Sequence, residues 1–408
     1  MAFADIMLGM PELTYVDPES FLIDSFLLGR KVYLSGFRPK HAISIWRGGT
    51  PVGLGVDAFF RSRGVQIHHT TIATDSYTGI GRRGGVTVKN LDHLVQVICP
   101  EDGLLIIDDV YESGNTIRQV VELLRHKARA NAPTEIVVAT VHHKPGCQEY
   151  GELPIIALHE VAANVWIDYP HELADLVDPE DPEDSRIRGK GEDIWSVLRG
   201  GAVDPVPMKI EGGFHYVRPR EFLLDCVQLG INVAGDETWR PDFLIALWPG
   251  GVMSGLPVHE VFKYVFKTRG PAGHVLDHIS LNTSPTRSTY RTDVVGIQYL
   301  ADHIDSHHNV LIIDSAFRAG LLVNDVIHRL RDTLRCNLDP DRVRVATVYY
   351  NPEHHSTGTI HPAVTRPHYY LKQVDGMVIG PTNVHQLPDP RQQLRDFDPE
   401  LWNVLYDD

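Results

Sequence analysis

The chain carries one residue pattern twice, at a nearly constant spacing. The early segment TYVDPESFLIDSFLLG matches HYVRPREFLLDCVQLG in the second half. Further along, Trp46 in ISIWRGG matches Trp248 in IALWPGG, and Asp108 in LLIIDD matches Asp314 in VLIIDS. Because the matches keep their order and the spacing drifts little, we interpret the chain as two homologous domains in tandem.

Each half alternates short apolar runs with amphipathic stretches, which predicts an α/β fold. Leu104–Ile107 is a continuous apolar run that ends in acids, as a buried parallel strand does, and Leu311–Ile313 is its counterpart; Val137–Val141 is the next strand. Apolar residues at helical spacing follow the first two runs: Ile117, Val120, Val121 and Leu124, then Val323, Val326, Ile327 and Leu330. We therefore predict two tandem doubly wound parallel-sheet domains, whose ligands bind at the carboxyl ends of the strands.

The segment between the two copies differs from both in composition. VDPEDPEDSRIRGKGED, which begins at Val177, is acidic, Pro-rich and without an apolar period. Such a stretch is typical of a linker or a solvated surface excursion. We predict a first domain over residues 1–176, a linker over residues 177–212 and a second domain over residues 213–408.

The composition limits the partners. The 408-residue chain has a formal net charge of -15, and an acidic surface repels nucleic-acid phosphates and anionic membranes. Its four cysteines form no C-x-x-C pair, so neither a zinc knuckle nor a disulfide framework is indicated. The first residues have no basic region and no long apolar run. We expect a cytoplasmic protein without a nucleic-acid or membrane partner.

The segment IIDDVYESGNTIRQ, residues 106–119, has the residues of a phosphate site. Asp108 and Asp109 stand where a buried strand meets solvent, and a helix begins near the segment Ser113–Thr116. Small and hydroxyl-bearing residues let backbone N–H groups close around an anion at the positive end of a helix. Carboxylates beside a phosphate suggest recognition of a diol or relay through Mg²⁺. The alternative is an ordinary acidic strand–helix turn with a Ser or Thr cap.

This segment resembles the phosphoribosyl-pyrophosphate (PRPP) loop of type I phosphoribosyltransferases. The family pattern is an apolar strand, two acids, two variable residues, an acid, Thr or Ser, Gly, any residue and Thr. The resemblance extends over residues 37–173 and is closest to the xanthine–guanine and hypoxanthine branch. It implies that PRPP is the substrate and that its phosphate is bound by Ser113, Gly114, Asn115 and Thr116.

Two earlier motifs resemble the parts of the family that hold pyrophosphate. SIWRGG is similar to the early loop around the leaving group, where an Arg can bind phosphate through two N–H groups. A Ser-Tyr pair then precedes TGIGRRGG, which resembles the family's mobile loop. The pyrophosphate contacts implied by these two motifs come from Arg47, Gly48, Gly49, Ser76, Tyr77, Arg82 and Arg83.

Two later motifs resemble the base-binding part of the family. HHKPG places Lys144 after a strand, like the family lysine that contacts the exocyclic oxygen of a purine. VWIDYPHEL resembles the segment whose aromatic ring stacks on the base, so Trp166 is the expected platform and Asp168 is expected near the base edge. These matches favour a purine-like 6-oxopurine, a small heterocyclic base, as the acceptor, and a role in purine salvage and nucleotide metabolism. The sequence does not name the base.

The resemblance also implies the reaction and its cofactor. A ring nitrogen displaces pyrophosphate from C1 of PRPP through a transition state that resembles an oxocarbenium ion. Mg²⁺ beside Asp108 and Asp109 helps to neutralise the leaving group. Glu112 occupies the family's catalytic-acid position, usually Asp, and is expected to accept the proton of the incoming base. The longer side chain of Glu112 is a departure from the family pattern.

The second half departs from the pattern where the chemistry belongs. The loop replaces Asp109 by Ser315, Glu112 by Arg318, Ser113 by Ala319, Asn115 by Leu321 and Thr116 by Leu322. Two further contacts are lost, since Pro249 stands for Arg47 and Asn351 for Lys144. We interpret this half as a degenerate copy that acts as a lid, a pseudo-dimer partner or a regulatory site.

Two other functions stay open. Ribose-phosphate pyrophosphokinase is also a tandem of this fold, but it keeps an intact phosphate loop in its second half and needs an ATP site. A PRPP-sensing binding protein needs no positioned base, so Glu112 argues against it. Family members assemble as dimers or tetramers, which leaves a homo-oligomer or an intramolecular pseudo-dimer open.

Overall fold

The chain is a mixed α/β fold with two mainly parallel sheets, one in each half. The structure, a computed structural model, describes residues 12–79, 82–147, 150–175, 185–203, 209–211, 213–269, 275–282, 294, 296–352 and 362–407. The α/β class and the parallel sheets confirm that part of the sequence prediction.

The first half contains the strands and helices that surround the predicted phosphate loop. Their order is β1 (Glu12–Tyr15), α1 (Pro18–Leu34), β2 (His41–Trp46), α2 (Gly49–Ser62), β3 (His68–Gly79), β4 (Arg82–Lys89), α3 (Asp92–Val97), β5 (Leu104–Tyr111), α4 (Asn115–Ala128), β6 (Ile136–His143), β7 (Ile155–Glu160) and β8 (Val165–Asp168). A further helix, α5 (Glu192–Leu198), lies in the segment between the halves.

The second half repeats this alternation. Its elements are β9 (Lys209–Glu211), β10 (Phe214–Tyr216), α6 (Pro219–Ala234), β11 (Phe243–Trp248), α7 (Gly250–Thr268), β12 (Asp277–Asn282), α8 (Ile297–His303), β13 (Val310–Phe317), α9 (Leu321–Leu334), β14 (Val343–Tyr350), β15 (Tyr369–Gln373), β16 (Met377–Ile379), α10 (Pro390–Phe397) and α11 (Pro399–Tyr406).

The two main sheets have corresponding strand orders. The first has the order β4-β3-β2-β5-β6-β7, with β4 antiparallel to β3 and the other neighbours parallel. The second has the order β12-β11-β13-β14-β15 and is parallel throughout. Because β2, β5 and β6 run in one direction, the segments that follow them meet at the same edge of the sheet.

Both faces of the first sheet are buried, which explains the unbroken apolar runs in its strands. Leu105 and Ile107 of β5 pack with α1 and α2, whereas Leu104 and Ile106 pack with α3 and α4 on the opposite face. The predicted apolar stripe of α4 is fully buried against that second face, so the sequence prediction of this helix is confirmed.

The segment that follows each half packs on the other half. Helix α5 buries Ile194 and Trp195 in a cluster with Leu223 and Tyr264 of the second half. Helices α10 and α11 bury apolar residues in the core of the first half, among them Leu401. The two halves thus exchange their trailing segments.

The segment predicted as a linker contains a packed helix. The run IWSVL, residues 194–198, has enough apolar side chains to form a packed helix, and it does so on the second half. The acidic stretch at residues 176–184, like residues 204–208 and 212, lies outside the described residues. The domain boundaries themselves stay a prediction.

Aromatic pairs cross the contact between the halves in a reciprocal way. Trp46 of β2 packs against His278 of β12, with ring centroids 5.2 Å apart. Trp248 of β11 stacks on His69 of β3, with centroids 4.3 Å apart. The two histidines hold the same register position beside their neighbouring strands. Such a reciprocal contact is the geometry of a two-fold interface.

The helices in the described part of the chain include none that combines the length and the apolar character required to cross a membrane.

Candidate functional site

The predicted phosphate loop is the turn between β5 and α4. Helix α4 begins at Asn115, and Gly114 caps it in the left-handed region at φ 76°. A side chain at this position is excluded twice, because that φ favours glycine and because a Cβ would collide with the ring of Tyr111. Ser113 Oγ accepts a hydrogen bond from the backbone N–H of Asn115 at 3.3 Å. The turn therefore places the N-terminus of α4 at this point of the chain, and a helix N-terminus is a position that binds anions.

The two acids at the end of β5 are poorly solvated and lie side by side. Burial, with the neighbouring charge of Asp109, raises the pKa of Asp108 well above its ordinary value. Burial also raises the pKa of Asp109, although the N–H of Val110 and the charge of Arg47 oppose the rise. Two adjacent carboxyl groups in this state favour a bound cation, because a cation offsets both their burial and their mutual repulsion.

An open cavity of about 730 Å³ lies over the turn. It is lined by Asp108, Val110, Tyr111, Glu112, Ser113, Gly114, Asn115, Thr116, Ile117, Gly146 and Cys147. Six of the predicted site residues are in this lining, and they come from one contiguous segment. The other five, Val110, Tyr111, Ile117, Gly146 and Cys147, were not predicted as site residues; the tight turn after β6 brings the last two to the cavity.

Lys144 and Glu112 meet beside the cavity. The backbone N–H of Lys144 donates to the carbonyl of Tyr111 at 2.9 Å, which fixes the start of the turn after β6. Its Nζ lies 3.4 Å from Oε2 of Glu112. The Lys144 side chain is 7% exposed and the Glu112 side chain 51%, so the lysine is fixed and the carboxylate reaches solvent. The predicted base contact and the predicted proton acceptor are therefore neighbours.

The RGG loop after β2 packs directly on the two acids. A Cβ on Gly49 would collide with the carbonyl oxygen of Ile107 and with Cα of Asp108. A Cβ on Gly48 would overlap the carboxyl group of Asp109, so only glycine permits this approach. Arg47, in contrast, is turned toward the second half: it donates to Glu260 and to Asp175, each at 2.8 Å.

The predicted mobile loop lies in a hairpin. The backbones of β3 and β4 pair antiparallel, with an irregularity between Ser76 and Thr78 and with Arg83 opposite Thr78. Residues 80 and 81 and the side chains of residues 75–87 lie outside the described residues. The pyrophosphate contacts assigned to Ser76, Tyr77, Arg82 and Arg83 therefore stay predictions.

The structure does not bring the two predicted residues of β8 to the described cavity lining. Trp166 is 48% exposed and pairs with Leu13 of β1 in a separate two-stranded sheet. Asp168 is buried, with its Oδ2 2.7 Å from Nζ of Lys190. Burial raises the pKa of Asp168, and Lys190 opposes the rise. The position of Asp168 differs from the predicted base edge because a basic residue from the inter-half segment meets its carboxylate.

One cluster near the acids was missed in the sequence. Ligand-capable atoms of Asp109, His171 and Glu172 lie within 4.8 Å of one another. Burial, with the neighbouring Asp109, raises the pKa of Glu172 to about 8. The available signal was the pair His171-Glu172 shortly after the strand Val165–Asp168.

Comparisons with known proteins give a limited likeness. No family model matches the chain, and no curated protein does either. Similar solved structures include a hypothetical protein from Neisseria gonorrhoeae with bound ppGpp, at 20% identity and a TM-score of 0.32 over 41% of this chain and 93% of that one. A purine phosphoribosyltransferase from Pyrococcus horikoshii Ot3 has 18% identity and a TM-score of 0.29 over 39% and 93%. The xanthine-guanine-hypoxanthine phosphoribosyltransferase of Helicobacter pylori has 18% identity and a TM-score of 0.29 over 39% and 91%. Similarity at this level carries no argument about the function of this chain.

Proposed function

We propose that the first half is a magnesium-dependent phosphoribosyltransferase, which transfers the 5-phosphoribosyl group from PRPP to a ring nitrogen of a purine-like base. The observation that supports this most is the cavity over the β5–α4 turn, where Asp108, Glu112 and the SGNT turn line one space and Lys144 contacts Glu112. A phosphate cradle, two adjacent acids and a carboxylate beside a lysine are the groups that this transfer requires.

The 5′-phosphate fits the turn at the start of α4. Ser113 and Thr116 offer hydroxyl groups, and the backbone around Gly114 offers N–H groups at the positive end of the helix. No side-chain carboxylate other than Glu112 and Asp108 is among the described residues that line this cavity. The ribose hydroxyls fit next to Asp108 and Asp109, which accept hydrogen bonds when ionised.

The chemical step exchanges one bond at C1 of the ribose for another. The ring nitrogen of the base forms a bond to C1 while the bond from C1 to the pyrophosphate oxygen breaks, and the electron pair of that bond leaves with pyrophosphate. The proton of the attacking nitrogen moves to Glu112, whose carboxylate is half exposed and faces the cavity. Lys144 lies close enough to orient Glu112 and to donate to an exocyclic oxygen of the base.

The acid pair fits a hard divalent cation. Carboxylate oxygens are the ligands that Mg²⁺ prefers, and the raised pKa values of Asp108 and Asp109 reflect the burial of both carboxyl groups, which a bound cation would offset. When bound, Mg²⁺ would neutralise charge on the leaving pyrophosphate. The residues of this chain then hold the ribose, orient the base and accept its proton.

The second half is proposed to be a degenerate copy of the first that binds no PRPP. The corresponding strand orders and the reciprocal Trp–His contacts support a tandem origin. Ala319, Leu321 and Leu322 offer no side-chain donors, and an anion next to leucine is not stabilised. The role left for this half is to pack on the first one, in the position that a second subunit takes in a dimer.

The function is tested by following pyrophosphate release from PRPP with MgCl₂ and a panel of bases. We expect release with at least one 6-oxopurine and none without a base. The matched control is Glu112→Gln, which should bind PRPP and release pyrophosphate far more slowly. PRPP binding by the wild-type chain without release for any base would contradict catalysis and would favour a PRPP-sensing protein.

A further inference from the structure

The guanidinium group of Arg47 is held by a carboxylate that the second half supplies. Its Nη1 donates to Oε1 of Glu260 at 2.8 Å, and its Nη2 donates to Oδ2 of Asp175 at 2.8 Å. Burial of Arg47 disfavours its charge, but Glu260 and Asp175 outweigh that effect and raise its pKa. Two charge-assisted hydrogen bonds from different nitrogens fix the plane of the guanidinium group.

Glu260 lies on α7 and its side chain is fully buried. A buried carboxylate is costly unless cations and donors compensate it. Its Oε1 accepts from Arg47 and also from Lys263, at 3.0 Å, so both compensating charges converge on one oxygen. Core packing alone gives no reason for an acid at this position, because an apolar residue would pack there without that cost.

The position in the first half that corresponds to Glu260 has no acid. Alignment of GGTPVGLGVDAFF with GGVMSGLPVHEVF pairs Ala58 of α2 with Glu260 of α7. The same alignment pairs Arg47 with Pro249. On the reciprocal side of the contact, both the arginine and its carboxylate are therefore replaced by apolar residues. The Trp–His pairs, in contrast, occur on both sides.

Of the two sides of this contact, the pair Arg47–Glu260 thus occurs only on the side of the β5–α4 turn, which has the side-chain donors for a phosphate. In this respect the pair differs from the Trp–His contacts, which join the halves on both sides. The charge of Arg47 also reaches the acid end of the site, since it lowers the pKa of Asp109 against the effect of burial. Arg47 therefore lies between the acids of the first half and the carboxylate of the second.

We propose that Glu260 is a positioning residue, through which the second half orients Arg47 toward pyrophosphate in the active site of the first half. This inference rests on the proposed phosphoribosyltransferase function. Arg47 uses one N–H of each terminal nitrogen for Glu260 and Asp175, so three of its five N–H donors take no part in these two hydrogen bonds. Pre-orientation of a long side chain removes an entropic cost that binding would otherwise carry.

The test is a double-mutant cycle in the full chain with Arg47→Ala, Glu260→Ala and both together. The probes are inorganic pyrophosphate with MgCl₂ in titration calorimetry, and KM for PRPP and for the base in the assay. We expect each single variant to weaken pyrophosphate binding and raise KM for PRPP by roughly 10–100-fold, the range for hydrogen bonds to charged groups. The double variant should be no weaker than Arg47→Ala, because Glu260 acts through Arg47. KM for the base should change little.

Two further variants separate positioning from general stability. Glu260→Gln keeps an acceptor for Arg47 and should recover part of the lost affinity. Asp225→Asn is the matched control: Asp225 is also fully buried and ion-paired, at 2.8 Å from Lys372, but within the second half. It should lower the melting temperature and leave pyrophosphate affinity unchanged.

Each contrary result has one meaning. Tighter pyrophosphate binding in Glu260→Ala would make Glu260 a competitor for Arg47 and overturn the proposal. Additive losses in the cycle, or an equal loss in Asp225→Asn, would overturn it as well. Unchanged binding in the Glu260 variants would remove the positioning role while the proposed function stands. A wild-type chain that binds neither PRPP nor pyrophosphate would remove the proposed function and this inference together.

Discussion

The turn from β5 into α4 and the turn from β13 into α9 have nearly the same backbone and different side chains. Each helix has 14 residues and is preceded by a glycine in the left-handed region, Gly114 at φ 76° and Gly320 at φ 64°. In each, a Cβ on that glycine would collide with an aromatic ring, of Tyr111 or of Phe317. The first residue after the following strand donates its backbone N–H to the carbonyl of that aromatic residue. Lys144 donates to Tyr111 and Asn351 donates to Phe317, each at 2.9 Å.

The side chains that face a ligand differ at nearly every position. In the first turn they include two aspartates, a glutamate and two hydroxyl-bearing residues. The second turn has Ser315, Arg318, Ala319 and two leucines at the corresponding positions. Leu321 is 62% exposed, so its apolar side chain lies in solvent where the first turn has Asn115. The glycine and the strand are required by packing, which is the same in both halves. Packing does not require the polar side chains of the first turn, so the second half keeps the same strand and helix without them.

Removing both acids of the first turn should have the largest effect. Titration of the wild-type chain with PRPP and MgCl₂ should give one site per chain, and Asp108→Ala with Asp109→Ala should abolish it, because the ribose and the cation lose their ligands. The matched control, Asp314→Ala with Ser315→Ala, should keep one site. A PRPP site that survives Asp108→Ala with Asp109→Ala would show that the second half binds PRPP. The two turns would then not differ in function.

Glu112→Gln should lower kcat by roughly 10²–10⁴-fold, the usual range for a positioned proton acceptor. Its affinity for PRPP should stay near that of the wild type, since the amide keeps the shape of the side chain. Steady-state pyrophosphate release is the measurement, and Arg318→Gln, at the corresponding place in the second half, is the control. Full activity in Glu112→Gln would exclude this residue from proton transfer.

Trp166→Ala should raise KM for the base by roughly 5–150-fold, as loss of a stacking contact worth about 1–3 kcal/mol does. KM for PRPP should hardly change. Met377 occupies the same register position in the second half, opposite Phe214 as Trp166 is opposite Leu13. Met377→Ala should therefore affect neither constant. Equal changes in both constants for Trp166→Ala would mean that the ring only supports the fold.

The last expected effect is on stability rather than on activity, and it concerns the acid that the second half retains. Burial raises the pKa of Asp314 from 3.8 to about 7. Between about pH 4 and pH 7 the folded chain then holds a proton that the unfolded chain has lost, so the free energy of unfolding falls as pH rises through this range. Asp314→Asn should remove that fall and stabilise the chain at pH 8 by on the order of 2–4 kcal/mol, at about 1.4 kcal/mol per unit of pKa.

Urea unfolding at a series of pH values measures this effect, with Asp332→Asn on the exposed side of α9 as the control. An unchanged pH dependence in Asp314→Asn would show that the carboxyl group is already ionised near pH 4. In that case the second turn would hold a charge, and its contrast with the first would be smaller than the side chains imply.

The sequence by itself determined the elements and the chemistry of one segment. Leu104–Ile107 lies within β5, the four apolar residues predicted for the next helix are buried in α4, and α4 begins at Asn115, within the segment where a helix start is predicted. These features depend on neighbours within about one turn or one strand, so local spacing contains them. The same holds for the six predicted residues in the cavity lining, because all of them lie between Asp108 and Thr116.

The tertiary structure alone decided what distant segments bring to that site. Nothing near Arg47 in the sequence indicates that Glu260 will hold it, and nothing near Asp168 indicates Lys190. The exchange of α5 and α11 between the halves likewise depends on which apolar surfaces meet. Apolar patterning specifies that a face is buried, but not against which partner. The partner is decided by the shape and charge of surfaces that exist only once the two sheets are folded together.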